Sequence, residues 1–197
     1  FGVGDLEVSN NDEMLAYSLD LKGSEYFAIN VRRIMDNKIL SEEIKETSGN
    51  ITWSLDDKYI FYSKLDEYHR ARKIYRHKIG TPIKKDQLIY EEKNEGFTCG
   101  IEISSDEKYY IIETSDHTTS EIYFFDVREP NPKPILFKKR QKEIKYSIDS
   151  WKGNFFIHTN LDAEDFKICI CKHENIKKWQ DYIPAAKEIL IGGFDLL

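Results

Sequence analysis

Ser9-Asn10-Asn11-Asp12-Glu13 returns as Ser54-Leu55-Asp56-Asp57-Lys58 and again as Ser104-Ser105-Asp106-Glu107-Lys108. The three serines stand 45 and 50 residues apart. Each copy follows a short β-rich stretch: Leu6-Glu7-Val8, Ile51-Thr52-Trp53 and Ile101-Glu102-Ile103. Each precedes an aromatic or branched apolar run: Met14-Leu15-Ala16-Tyr17, Tyr59-Ile60-Phe61-Tyr62 and Tyr109-Tyr110-Ile111-Ile112. Asp and Asn side chains bond the backbone just ahead of them and tolerate left-handed geometry, so the polar pentads read as tight hairpin turns. A strand–turn–strand unit has therefore been repeated.

A second strand pair completes each unit. Its first members are Tyr26–Val31, Lys73–His77 and Glu121–Val127, and its weaker closing members are Ile39-Leu40, Gln87–Tyr90 and Pro134–Phe137. A fourth copy has lost its polar turn but keeps the strands Tyr146–Ile148, Phe155–His158, Phe166–Cys171 and Trp179–Ile183. Ile189-Leu190-Ile191 reads as the first strand of one more copy. All-β units of this length and period point to β-propeller blades. The apolar runs show no strict alternation, as expected of strands covered on both faces by neighbouring blades. The expected fold is all-β, a partial propeller of about four blades over 5–46, 47–93, 94–142 and 143–185, with 186–197 beginning a further one.

The 197 residues are 40% hydrophobic and 13% aromatic, ample for a core, and their charged 32% is interspersed. A formal net charge of −6 disfavours nucleic acid and anionic membrane as partners. No stretch reaches the roughly 18 apolar residues that a spanning helix needs. Three cysteines, two of them on one strand, fit a reducing compartment, so a cytoplasmic location is expected. The chain opens on Phe1, so it is expected to be cut from a longer polypeptide.

No Gly-x-Ser-x-Gly elbow, phosphate loop or His-Glu-x-x-His helix occurs, and no catalytic residue, cofactor or metal is expected. Cys169, Cys171 and His173 alternate along one strand, but Cys169 and His173 are about 13 Å apart at the usual rise, too far for one tetrahedral zinc. Asp116, His117 and Ser120 are neighbours in one hairpin and cannot orient one another as a triad. The densest mixed-charge hairpin is Asp66-Glu67-Tyr68-His69-Arg70-Ala71-Arg72-Lys73. Loops at one rim of a propeller commonly meet partners, because blade faces are occupied by packing. Arg70, Arg72, Glu92 and His117 are the candidates for substrate gating or inter-domain contact. Of these, Arg70 and Glu92 are expected at the surface, with little weight in fold stability.

Tyr17-Ser18-Leu19-Asp20, Gly23-Ser24-Glu25-Tyr26, Tyr75-Arg76-His77-Lys78-Ile79-Gly80-Thr81, Tyr90-Glu91-Glu92-Lys93 and His117-Thr118-Thr119-Ser120-Glu121 form an ordered series. Tyr146–Asp149 and Trp179–Pro184 extend it. Together they resemble the oligopeptidase B (protease II) branch of the prolyl oligopeptidase family. The resemblance implies a seven-bladed propeller over an α/β-hydrolase peptidase domain, and cleavage of short peptides after Lys or Arg by a Ser-Asp-His triad. It implies that the triad and the residues recognising the basic side chain belong to that other domain, absent from this stretch. The implied partners are the chain's own peptidase domain and oligopeptide substrates; the isolated stretch is expected to be inactive and to self-associate through its end blades. Asn10 and Ala71 stand where the family often has proline, which implies a looser Arg70 loop. The rival reading is a free-standing propeller used as a protein-interaction scaffold.

Overall fold

A computed structural model describes residues 1–196. Two compact units divide the chain, Phe1–Ile101 and a second from Glu102 onward. The first contains β1 (Gly2–Val8), β2 (Met14–Asp20), β3 (Phe27–Arg33), β4 (Ile44–Trp53), β5 (Tyr59–Leu65), β6 (Ala71–Lys78) and β7 (Gln87–Glu91), hydrogen-bonded in chain order into one antiparallel sheet. β8 (Thr98–Ile103), β9 (Tyr109–Ser115), β10 (Ser120–Asp126) and β11 (Ile135–Lys138) form a four-stranded sheet. β12 (Tyr146–Trp151), β13 (Asn154–Thr159), β14 (Lys167–Lys172) and β15 (Gln180–Ile183) form another.

The three polar turns share one hydrogen-bond pattern, and serine is its hub. Ser9, Ser54 and Ser104 each donate a hydroxyl to the acidic or amide side chain two residues on, Asn11, Asp56 and Asp106, at 2.8, 2.8 and 3.0 Å. The same hydroxyls accept the N–H of Met14, Tyr59 and Tyr109. Asp12, Asp57 and Glu107 take the left-handed position at φ 59°, 57° and 55°. In the fourth copy Lys152 and Gly153 at φ 48° and 83° close a two-residue hairpin of the primed type instead.

The first unit differs from the sequence expectation in one strand. Ile39-Leu40 makes only an isolated bridge to Arg32 and a Leu40 N–H bond to Val31. The fourth place beside β3 is taken by the start of β4, where Phe27 pairs with Thr47 and Ile29 with Ile44. The far end of β4 pairs with β5, Ile51 with Tyr62 and Trp53 with Ile60. One ten-residue strand thus serves two strand groups, bent at Gly49, whose φ of 95° suits a residue without Cβ. Ile189–Ile191, expected to be a strand, retains a single bridge between Ala186 and Ile189; Leu197 lies outside the described residues.

Each unit has its own core. In the first, Ala16, Ile29, Val31, Ile44, Ile51, Trp53, Ile60 and Tyr62 are buried together. In the second, Ile111, Ile122, Phe124, Phe137, Tyr146, Ile148, Phe155 and Ile157 pack with Cys169 and Cys171. Tyr109, Phe124, Phe137 and Phe155 meet edge-on or tilted at 5.1–5.9 Å, the spacing at which ring quadrupoles attract. Burying such a side chain contributes roughly 1.5–3 kcal/mol. Ile168, on β14 between β13 and β15, is buried.

Candidate functional site

Three of the four candidate residues come together in the first unit. β5 ends at Leu65 and β6 begins at Ala71, so Asp66 and Arg70 face each other across the hairpin mouth. Asp66 donates its N–H to the Arg70 carbonyl at 2.9 Å. Its carboxylate accepts the N–H groups of Tyr68 and Arg70 at 2.8 and 3.0 Å, and Arg70 Nε at 3.3 Å. Partial burial raises the Asp66 carboxyl, but these amides and the guanidinium outweigh it and hold the group below the ordinary range. His69 supplies the left-handed residue, φ 59°, and lies tilted against Tyr26 with the ring centres 4.0 Å apart. The Arg70 loop, expected from the resemblance to be looser, is therefore closed by a carboxylate clamp. Asn10 donates its own N–H to Asp57 at 2.7 Å, a bond that proline could not make.

Arg70 reaches from this loop to the Glu95 carbonyl, while Arg72 forks onto the Glu92 carbonyl through Nε and Nη2 at 2.8 and 2.6 Å. Arg70 also lies over the Tyr68 ring at 4.9 Å. Glu92 departs from the surface position expected of it, being 4% exposed. Its carboxylate turns inward to accept Asn94 N–H at 2.7 Å and Tyr90 Oη–H at 3.2 Å, capping the bend after β7. Arg70 and Arg72 are thus held by the Asp66 carboxylate and by the Glu95 and Glu92 carbonyls.

His117 belongs to the second unit, exposed at the β9–β10 hairpin, where Asp116 accepts the N–H groups of Thr118 and Thr119, both at 2.7 Å. Those two amides, opposed by slight burial and helped by His117, hold the Asp116 carboxyl low.

Residues not singled out from sequence line a cleft in the second unit. One cavity of about 170 Å3 is bounded by Glu113, Lys145, His158 and Phe166, and an adjoining one of about 330 Å3 by Glu102, Asp149, His158 and Phe194; Ser147 borders both. Desolvation in the cleft, then the charges of Glu113 and Asp149, push the Glu102 carboxyl up. Desolvation likewise raises Glu113, against a hydrogen bond from Ser115 and the charge of Lys145. The one signal in the sequence was polar residues interrupting β-rich stretches, Glu102 between two isoleucines and Asp149 after Ile148.

Ser150 and His173 approach to 2.9 Å, but the Ser150 hydroxyl is fully buried and donates to Asp106 at 3.0 Å. The carboxylate is on the serine and not on the imidazole, which is the reverse of a nucleophile-activating arrangement. Cys169 and Cys171 are buried in the core, and burial pushes both thiols up to about 11. Burial and Glu92 push Cys99 up to about 12. Thiols so disposed are poor nucleophiles. No helix among the described residues is long and apolar enough to cross a membrane.

Comparison with known proteins finds the family model of the prolyl oligopeptidase N-terminal β-propeller domain matching residues 1–197. The chain is 30% identical to Protease 2 of Moraxella lacunata over 94% of its length, and 29% identical to dipeptidyl aminopeptidase BI of Pseudoxanthomonas mexicana over 100%. It spans 29% and 28% of those two proteins. Among solved structures it is similar to oligopeptidase B from Trypanosoma brucei with covalently bound antipain, in the closed form. That likeness has a TM-score of 0.90 at 25% identity and covers 98% of this chain and 27% of the other. Oligopeptidase B from Leishmania major gives 0.87 at 25% identity, covering 91% and 26%.

Proposed function

We propose, starting from a chain that belongs to the prolyl oligopeptidase family through its N-terminal β-propeller domain, that it is the gating part of a cytoplasmic serine oligopeptidase that cleaves short peptides after Lys or Arg. The observation that carries this is the match of the propeller model to every residue of the chain. In this reading β1 to β15 make up four blades, with β4 divided between the first two. The Ser-Asp-His chemistry is done by an α/β-hydrolase domain elsewhere in the polypeptide. The blades exclude folded proteins and admit extended oligopeptides, so their contribution is access and closure.

The preference for cationic substrates is supported by the likeness to Protease 2 and to oligopeptidase B, and the carboxylates of Glu102, Glu113 and Asp149 give the cleft in the second unit the matching sign. Arg70, Arg72 and His117 are read as rim contacts to the peptidase domain, with Glu92 as the support of Arg72.

The test uses the polypeptide containing both this chain and its peptidase domain. It should hydrolyse a fluorogenic Arg-Arg peptide and leave a folded protein of similar composition intact. Arg70→Ala and His117→Ala should change kcat/KM several-fold. Tm should be nearly unmoved for the exposed His117, whose contacts are worth about 0–1 kcal/mol, and slightly lowered for the half-buried Arg70, whose side chain helps to close its loop. Glu92→Ala should lower Tm as well. A polypeptide that turns over neither substrate would favour the scaffold reading.

A further inference from the structure

The β2–β3 hairpin and the start of β4 enclose a hollow of about 440 Å3 on the first unit. Leu19, Leu21, Tyr26 and Phe27 give it apolar walls, and the exposed Lys22 and Glu46 stand at its mouth. Asp20, 4% exposed, fixes the turn between the two strands. Its carboxylate accepts the N–H groups of Lys22 and Glu25 at 2.9 and 2.6 Å and the Ser24 hydroxyl at 3.3 Å. Gly23 and Glu25 supply the left-handed residues, at φ 69° and 61°. The hairpin tip is thus built without help from an occupant, and it carries Leu21 with 72% of its surface exposed.

Tyr26 joins this hollow to the Arg70 loop. Its hydroxyl donates to the Asp66 carbonyl at 3.1 Å, and its ring lies against His69. At the tip of the same loop the exposed Tyr68 ring lies under Arg70. An apolar hollow with a charged margin, continuous with exposed tyrosine and arginine, has the anatomy of a protein contact. A small ligand needs polar groups that converge on it. Asp20, the buried carboxylate of the lining, is occupied by its own turn.

The charges at the mouth set the chemistry of the occupant. Glu43 pairs with Lys45 at 3.4 Å, and Glu46 pairs with Lys64 at 3.3 Å. Lys22 has no ion pair among the described residues, so the charge left open is positive. The chain spans 29% and 28% of Protease 2 and dipeptidyl aminopeptidase BI, so a polypeptide of that length carries ample further chain to fill the hollow.

We propose, resting on the reading of the Arg70 loop as a contact to the peptidase domain, that the hollow is the socket of that contact. It takes one apolar side chain of the peptidase domain, and a carboxylate beside that side chain meets Lys22. Burial of the apolar group supplies the attraction, and the Lys22 pair sets the register.

Zero-length cross-linking of the whole polypeptide with a carbodiimide, which joins an amine to a carboxylate in contact, tests the socket. Lys22 should be joined to an Asp or Glu of the peptidase domain that neighbours an apolar residue. The Lys64–Glu46 link within the first unit reports that the reagent has acted. Leu21→Glu places a charge at the mouth of the hollow on an exposed side chain, so the fold is spared. It should lower the yield of the Lys22 link about fivefold and leave the Lys64–Glu46 link unchanged. The absence of a Lys22 link overturns the proposal, as does a yield that Leu21→Glu leaves intact. A link that joins only two copies of the polypeptide, or one that saturating Arg-Arg peptide abolishes, assigns the hollow to another occupant and overturns it too. The parent reading fails separately: a polypeptide that leaves the Arg-Arg peptide uncleaved while Lys22 is linked to its other domain keeps the socket and loses the oligopeptidase.

Discussion

Asn10 and Asp57, 47 residues apart, are joined by two hydrogen bonds to a single carboxylate oxygen: the backbone N–H at 2.7 Å and the side-chain amide at 2.8 Å. Asn11 N–H takes the other oxygen at 3.0 Å. One polar turn therefore caps the next.

Replacing Asp57 tests how much that cap holds. Asp57→Asn keeps a residue that tolerates φ 57° but removes the charge, whereas Asp57→Ala also loses the acceptor. We expect a loss of about 1–2 kcal/mol for alanine and roughly half that for asparagine, measured by urea unfolding. No loss in the asparagine variant would show that the charge contributes nothing, and equal losses would show that the neutral acceptor contributes nothing.

The bend of β4 makes a sharper case. A Cβ on Gly49 would lie 3.0 Å from the Phe27 ring, and the position has φ 95°. Gly23, at φ 69°, has open space around it. Gly23→Ala should cost about 1–2 kcal/mol, the left-handed penalty alone, and Gly49→Ala should cost more. The excess should shrink when Phe27→Leu is combined with Gly49→Ala. Similar thermal shifts for both alanines would mean that the ring moves aside freely.

Desolvation in the cleft and the charges of Glu113 and Asp149 place the folded value of Glu102 above its unfolded one, a shift that solvent reduces at this exposed side chain. Its favourable contribution is complete below the ordinary carboxylate value and disappears as pH rises through the raised one. Glu102→Gln should therefore raise Tm at pH 7 and have little effect at pH 4. A variant less stable at pH 7 would contradict the sign.

Val3, Leu6 and Val8 on β1 are 58%, 59% and 45% exposed, and each pairs with a half-buried Leu19, Tyr17 or Leu15 of β2. An apolar sheet face of this kind is seldom left bare in a soluble monomer. The 197-residue chain by itself should associate in a concentration-dependent way, and Leu6→Lys should weaken that association. Sedimentation velocity would read both, and a monomer at high concentration would remove the idea.

The repeat was legible because its signal is local. Ser54, Asp56 and Asp57 determine a turn with no help from distant residues, and the apolar runs on either side declare themselves as covered strands. What was hidden depends on separation. Ile39-Leu40 looked like a closing strand by composition, but the place beside β3 went to Ile44–Thr47, which the Gly49 bend delivers to it. Arg70 and Arg72 were visible as a charge-dense hairpin, whereas the inward turn of Glu92 depends on Asn94 and Tyr90 offering it donors. The cleft carboxylates Glu102, Glu113 and Asp149 lie on three different strands, and spacing along the chain carries no trace of such a meeting.

β4 also restricts how this polypeptide can be rearranged. A cut in the Lys93–Phe97 connection falls between sheets and leaves every ladder whole. No such cut exists between the first two strand groups, because one uninterrupted strand supplies an edge to each. Deleting or transplanting the first group alone would strip its neighbour of a strand or carry off an orphaned half. Recombination, domain grafting and circular permutation should therefore treat residues 2–91 as a single heritable block.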